Sequence, residues 1–442
     1  MTEPLDYNDV EAVGRAAHAL ARELWPLPRS ISGEGLRATL RRLGDGLPGY
    51  RLIEVASGTP VLDWIVPEEW AVRSAWIERP DGRRICDFAV DPLHLVGYST
   101  AIDAELDLAD LEPHLHSLPD QPDAIPYVTS YYQRRWGFCL PHREREALPP
   151  GRYRVHIDAN HFAGSITLAE CLLPGAEPRE LLLSSYCCHP SMANNELSGP
   201  VLLHLIGRWW QTRPRRLGLR LLLLPEMIGS VAWLALRLDE VRGRIHAGYN
   251  LSCIGDEREW GYLPSRAGDT PSDQVARHVL AGIDPGYRRW RWADRGSDES
   301  NYCAPGVDLP IATLTRSKYG SYPEYHTSMD DLERVVTPTG LGQSFAMLRE
   351  ALTLLDAGVD TQKPRITVLG EPQLGRRGLY PSLSVKGSTA GVRPMLDLLS
   401  MADGRHSLLD IAEACGHPVR TLLEGMERLR GSGLLDETEA GG

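Results

Sequence analysis

Cysteine is scarce in this chain: there are eight in 442 residues, at positions 86, 139, 171, 187, 188, 253, 303 and 415, and none form a Cys-x-x-Cys pair. This excludes a disulfide framework and a zinc ribbon, and assigns most of the thiols to the interior as small apolar side chains. Long apolar runs are also lacking. The longest, Leu217 to Pro225, is interrupted by Arg220 and falls far short of the roughly 20 residues that span a bilayer. The opening MTEPLDYNDVEA is acidic, without the basic start and apolar stretch of a secretory signal, so a cytoplasmic protein is expected. Positive charge is outweighed. Forty-seven Lys+Arg against 59 Asp+Glu give a net charge of −12, which argues against nucleic acid or an anionic membrane as a general partner. Neither a Gly-x-Ser-x-Gly elbow nor a P-loop occurs, and the Gly-x-Gly at 431 to 433 lies too near the C-terminus to open a nucleotide-binding unit.

What is present is 42% hydrophobic and 24% charged residues, enough for a sizeable core in two or three domains. Val10, Val13, Ala17, Leu20 and Leu24, then Leu36, Leu40 and Leu43, predict two short helices. Residues 51–155 turn to short runs rich in Pro, Trp and Tyr and predict a mostly β insert. Its aromatics (Trp64, Trp70, Trp76, Tyr127, Tyr131, Tyr132, Trp136) are expected to form a small core of their own and to wall a substrate cleft. From about 178, ELLLSSYC, LSGPVLLHLIGRWW, LGLRLLLLPE, SVAWLALRLDEV and HAGYNLSCIGD alternate apolar strands with helices. The pattern continues through a helix near 273–283, the strand PIATLTR and a helix near 340–355. This is the signature of an α/β fold, a mixed and mainly parallel sheet between helices. Residues 395–437 read as a winged-helix module. The expected division is 1–50 with 156–362 as the core, 51–155 as the insert and 363–442 as the tail. From Ser400 onward the tail carries four positive and eight negative charges, which favours packing, dimerisation or partner docking over DNA contact.

Candidate chemistry gathers just past the predicted carboxyl ends of the core strands, where open α/β sheets place their ligands. His189, Asn195 and Glu196 follow the first strand, Glu226 the second, Asp256 the third, and Glu324, His326, Asp330 and Asp331 follow PIATLTR. Taken singly, each has a structural reading: His189 ends a strand before Pro, Glu226 sits at a helix N-terminus, Asp256 is in a turn, His326 is a hydrogen-bonded core histidine. Together, two histidines and several carboxylates on one sheet edge make a ligand set that suits zinc with a position open for water. Asp298, Arg316, Lys318 and Tyr319 lie between the core strands and His326, and with Glu324 are candidates for binding substrate or stabilising an oxyanion. Asp330 and Asp331 are candidates to orient His326. A thiol nucleophile at Cys187 or Cys188 would need a partner that lowers its pKa.

The segments CHPSMANNELSG, PEMIGS, SCIGD, GSDESNYCAPG and PEYHTSMDDLE, with LWPLPRSISGEGLRATL and SGTPVLDWIVPEEW upstream, resemble a bacterial family of aminopeptidase-like proteins, often labelled polysaccharide-biosynthesis proteins with an aminopeptidase-like domain. The resemblance extends over nearly the whole chain and implies the fold of the zinc aminopeptidase clan. It implies metal ligation by His189, Asp256 and His326. Glu226 matches one member of the clan's Glu-Glu pair, as the general base in an ungapped match or as a ligand if shifted by one. The clan's bridging aspartate falls on Asn195, a poor bridge between two cations. This leaves four options: Glu196 supplies the missing charge, one metal binds instead of two, none binds tightly, or Asn195 and Glu196 only cap the following helix. The implied function is a zinc-dependent hydrolase acting on a small peptide or amide in a biosynthetic pathway, with a homo-oligomer possible. The alternative is a catalytically silent binding or scaffold protein that keeps the fold.

Overall fold

The computed structural model describes residues 5–131, 133–379 and 392–436. Tyr132 and the acidic Glu437 and Glu439 fall outside them. The chain divides into two compact units, residues 1–268 with 287–348 and residues 269–286 with 349–442.

In the first unit the apolar runs become neighbouring strands because continuous Leu, Ile and Val can be buried on both faces of a sheet. Glu180–Tyr186 pairs in parallel with Gly218–Leu224 on one side and Ile245–Leu251 on the other, and the latter pairs in parallel with Ile311–Thr315. Antiparallel Ser165–Leu173 and then Arg51–Ala56 extend one edge, and Gly261–Leu263 with Arg288–Arg289 the other, giving eight strands. Helices Val10–Leu24, Glu34–Leu43, Ser198–Trp210 and Ile228–Val241 bury apolar faces in this unit. The insert boundary expected at residue 51 falls inside the core: Arg51–Ala56 is an edge strand of the large sheet, held by the register Arg51 to Glu170 through Ala56 to Ser165. The insert itself is a four-stranded sheet in the order Arg84–Ile85, Glu69–Glu78, Arg152–Phe162, Ile102–Asp107. Its Trp70, Ile77, Tyr153 and Val155 share one buried cluster with Leu182 and Leu222 of the large sheet, while Leu93, Val96, Ile125 and Cys139 gather around Met192 in a second, smaller one.

One strand residue breaks the apolar rule. Arg220, 1% exposed, donates to Glu180 at 2.7 Å and to Glu170, which also takes Arg51. Among the described residues Glu180 has no other side-chain partner, so Arg220→Ala should cost about 3–5 kcal/mol in urea unfolding by leaving that buried carboxylate unpaired, while Glu170 keeps Arg51 and Trp233. A loss under about 1 kcal/mol would contradict this reading.

In the second unit, helix Pro271–Ile283, expected in the core, clusters with the tail instead. Its His278 ring accepts the Val419 N–H at 3.3 Å. Helices Arg393–Met401, Leu408–Cys415 and Val419–Gly431 form the winged-helix trio. Ser407 caps the second helix in a capping box with Asp410, and Ile366 bridges to Leu435 as the wing. Among the described residues no helix is long and apolar enough to cross a membrane, and all eight cysteines are free.

Candidate active site

Four loops leave the carboxyl ends of the parallel strands side by side. The first carries Cys188 and His189. Its histidine is buried and gripped twice by Glu196: the backbone N–H donates to Oε2 at 2.7 Å and ring Nδ1 pairs with Oε1. Holding Nδ1 fixes the ring and leaves Nε2 pointing outward, 3.7 Å from Oε2 of Glu226. Burial, with His326 adding, keeps the His189 imidazole far below its ordinary pKa and hence neutral.

The second loop carries Glu226. Ser297 Oγ donates to Oε1 at 2.7 Å, and the Glu226 backbone N–H points at Cys188 Sγ at 3.3 Å. Burial, reinforced by the neighbouring Asp298 carboxyl, pushes Glu226 up to about 8. The next residue, Met227, has φ of +63°, a conformation that needs outside support in a non-glycine residue. Asp298 Oδ1 provides it by accepting both the Met227 N–H and Ser230 Oγ at 2.7 Å, while Oδ2 is buried without a partner.

His326 lies on the fourth loop, at φ of +57°. Its ring centroid is 5.3 Å from that of His189 and stacks at 3.9 Å on Tyr325. Tyr127 packs edge-on against both histidines at 4.5 and 5.1 Å, and its backbone N–H donates to the His326 carbonyl at 2.9 Å. The insert thus buttresses the site. Burial lowers His326 to about 4, and its Nε2 is buried with no hydrogen-bond partner. Ser191 and Cys253 also take positive φ, so four of the eight non-glycine residues in that region flank the site. Strain of this kind concentrates where geometry matters for function.

Several residues expected at the site are engaged elsewhere. Asp256 accepts four hydrogen bonds of 2.9 to 3.0 Å, from Asn194 Nδ2, the Arg258 N–H and both the N–H and Oγ of Ser317, so its lone pairs are spoken for. Asn195 Oδ1 accepts from Tyr186 at 3.0 Å. Asp330 accepts from the Asn194 and Asn195 N–H groups and Tyr322, holding the loop rather than orienting the His326 ring. Asp331 accepts from the Glu333 and Arg334 N–H groups. Arg316 stacks on Trp260 at 3.8 Å, Lys318 lies 3.8 Å over Tyr319, Tyr319 donates to Glu299 at 2.6 Å, and Glu324 forms a two-pronged pair with Arg258. None of the expected substrate-binding cations is free. Asp256→Asn should therefore lower Tm while leaving metal stoichiometry unchanged, which elemental analysis beside a melting curve checks; loss of metal at unchanged Tm would restore it as a ligand.

Sequence reasoning missed Ser297, Glu299 and the role of Tyr127. Glu299 is fully buried and accepts from the Gly296 and Ser297 N–H groups, Tyr319 and Asn250, shaping the loop that presents Ser297 to Glu226. Its only signal was its place beside Asp298 in Gly-Ser-Asp-Glu.

The outward Nε2 of His189 and the orphaned Nε2 of His326 are nitrogen donors of the kind a borderline cation takes, with the Glu226 carboxylate 3.7 Å from the first, although the three ligand atoms do not all lie within 4.8 Å of one another. A carboxylate-bridged pair of ions is not supported, because Asn195 and Asp256 have given their oxygens to protein donors. Among the described residues the one trio of ligand atoms within 4.8 Å is Cys188, His189 and Glu196. There Glu196 already occupies Nδ1, and burial drives the Cys188 thiol well above its ordinary pKa, so it is no thiolate.

With Glu226 at about 8 and Asp298 at about 7, the folded, metal-free chain holds protons that the unfolded chain releases at ordinary carboxyl pKa values. This stability is fully present below about pH 4 and is lost as pH rises through about 7 to 8. The two histidines act in the opposite window, below about 6.5. The Tm of chelator-treated protein should therefore fall as pH rises from about 6 to 8 and level off above, and Asp298→Asn should flatten the slope; a flat profile in the parent would contradict the assignment.

Beside Glu226 and His189 opens a pocket of about 370 Å³, walled by Ile31, Trp64, Ile65, Pro67, Tyr131, Met227 and Ile228.

Residues 18–358 match the family model described as a domain of unknown function (DUF4910), and residues 362–437 match that of a winged helix-turn-helix. A Clostridium acetobutylicum protein named for polysaccharide biosynthesis and an aminopeptidase-like domain is 35% identical over 411 residues, covering 92% of this chain and 93% of its own. A crystal structure of a protein described as a peptidase, also from Clostridium acetobutylicum, superposes with a TM-score of 0.91 at 33% identity, over 97% of this chain and 98% of that one. The zinc aminopeptidase of Bacillus subtilis shares the fold at a TM-score of 0.54 and 12% identity, over 80% and 96% of the two chains. The chain belongs to the DUF4910 family, with an aminopeptidase-like fold followed by a winged helix-turn-helix domain.

Proposed function

We propose that this protein is a metal-dependent hydrolase that cleaves an amide bond of a small substrate, in the cytoplasm and within a biosynthetic pathway. The observation that carries the reading is His189 Nε2 3.7 Å from Glu226 in the wall of a pocket, with the His326 ring, its Nε2 unpartnered, 5.3 Å from that of His189. His189 and His326 would hold one zinc ion, with Glu196 fixing the His189 tautomer. Zinc in such a place lowers the pKa of water toward neutrality and polarises a carbonyl.

Glu226 is the general base. Its carboxyl, raised to about 8 in the metal-free chain, ionises more readily beside a cation and so titrates close to working pH. It takes one proton from the attacking water as the water oxygen bonds to the amide carbon. It then gives that proton to the nitrogen as the C–N bond breaks, releasing a carboxylic acid and an amine. Ser297 holds Oε1, which leaves Oε2, on the side of His189, to carry the proton. Asp298 acts as a positioning residue through the Met227 backbone. Turnover of a small amide panel by zinc-loaded protein, and its loss on chelation, tests the reading; no turnover at any metal loading would overturn it.

A second reading, a catalytically silent binding protein, is favoured by Asn195 at the bridging position and by the saturated Asp256. It predicts a protein indifferent to zinc.

A further inference from the structure

An enzyme that removes N-terminal residues must hold the substrate's charged ammonium, and a buried ammonium demands a carboxylate with capacity to spare. Apart from Glu226, the general base, the acids around this site are committed to protein donors, and the one further open oxygen, Asp298 Oδ2, is buried and does not line the pocket. Glu196 is committed to His189, Asp298 to Met227 and Ser230, Asp330 to two backbone N–H groups and Tyr322, Asp256 to four donors, and Glu324 to Arg258. Glu299 accepts from four groups. Of the acids, Glu226 alone lines the pocket, and no Lys or Arg does.

The rest of the pocket wall is apolar and partly built by the insert. The hairpin Pro60–Val61 and Trp64–Ile65 sets Trp64 and Ile65 opposite Met227 and Ile228, the residues that follow Glu226 in the chain. Ile65, 68% exposed, stands in the pocket wall beside Trp64, where an apolar group bound in the pocket would cover part of it. A volume of about 370 Å³ lies within the range of pockets that enclose a small ligand with its apolar part inward.

We propose that the substrate is an N-acyl amide without a free α-ammonium, whose apolar acyl group occupies the pocket between the Trp64–Ile65 hairpin and Met227–Ile228. This rests on the amide-hydrolase reading of the same site and narrows it to deacylation: the acyl group leaves as a carboxylic acid, and the amine stays with the remainder of the substrate.

The test uses an isosteric pair, 3-phenylpropanoyl-4-nitroanilide and L-phenylalanyl-4-nitroanilide, which differ only in the α-ammonium. Zinc-loaded full-length protein should favour the first by at least about 100-fold in kcat/KM, and Ile65→Asp, which places a carboxylate on the exposed rim, should shrink that ratio by at least about tenfold. Calorimetry with 3-phenylpropanol and L-phenylalaninol reads the same preference without turnover. Equal or preferred cleavage of the phenylalanyl compound overturns this inference and leaves the hydrolase reading intact. Tighter binding of 3-phenylpropanol with neither anilide cleaved supports the inference and removes the hydrolase reading. Equal binding of the two alcohols, or none, overturns the inference.

Discussion

Glu226→Gln should lower kcat/KM for any amide this protein cleaves by about 10³-fold, within the span that general acid–base groups contribute. The substitution is nearly isosteric, and an amide oxygen still accepts the Ser297 hydroxyl that Glu226 Oε1 accepts at 2.7 Å. Since the metal-free carboxyl is held up to about 8, the parent is already largely neutral there at pH 7, so Tm should move little. If Glu226 is the base, zinc remains bound in the variant and only turnover is lost. Loss of zinc together with activity would instead make Glu226 a ligand, the other option left open by the sequence. Steady-state kinetics and metal analysis on the same sample separate the two.

The second large effect concerns His326. Truncation to Ala would alter two things, because the residue sits at φ of +57° and Ala tolerates that region poorly. His326→Asn keeps a residue that accepts the left-handed conformation while removing the imidazole. Zinc binding and turnover should then fall below detection, with Tm within a few degrees of the parent; retained zinc would remove His326 from the site. Glu196→Gln is the graded comparison. It preserves an acceptor for the His189 N–H but removes the charge behind the ring, and should weaken zinc by about 10- to 100-fold.

The core strands and the loops that carry His189, Glu226 and His326 were legible because continuous apolar runs mark buried strands and ligands collect at their carboxyl ends. Four things were not. Arg51–Ala56 reads as part of the β insert because its mixed composition, RLIEVA, is that of an edge strand, and only pairing with Ser165–Glu170 assigns it to the core. Asp256 has the right residue type and strand end for a ligand, yet whether a carboxylate faces a metal or four protein donors depends on side-chain and backbone donors of Asn194, Arg258 and Ser317 that no local pattern brings together. Arg316 and Lys318 carry charge that sequence reads as available, whereas stacking on Trp260 and Tyr319 uses it. Helix Pro271–Ile283 has the amphipathic period of a core helix, and periodicity reports a buried face without saying which unit buries it.

Two histidines are fewer protein ligands than the three that catalytic zinc sites ordinarily use, so the ion should be held weakly and exchange on dialysis. Calorimetric titration of zinc into chelator-stripped protein is therefore the most direct test. The account predicts one ion per chain, of modest affinity, with binding abolished in His326→Asn. Two ions per chain, no binding, or binding undiminished in that variant would contradict it.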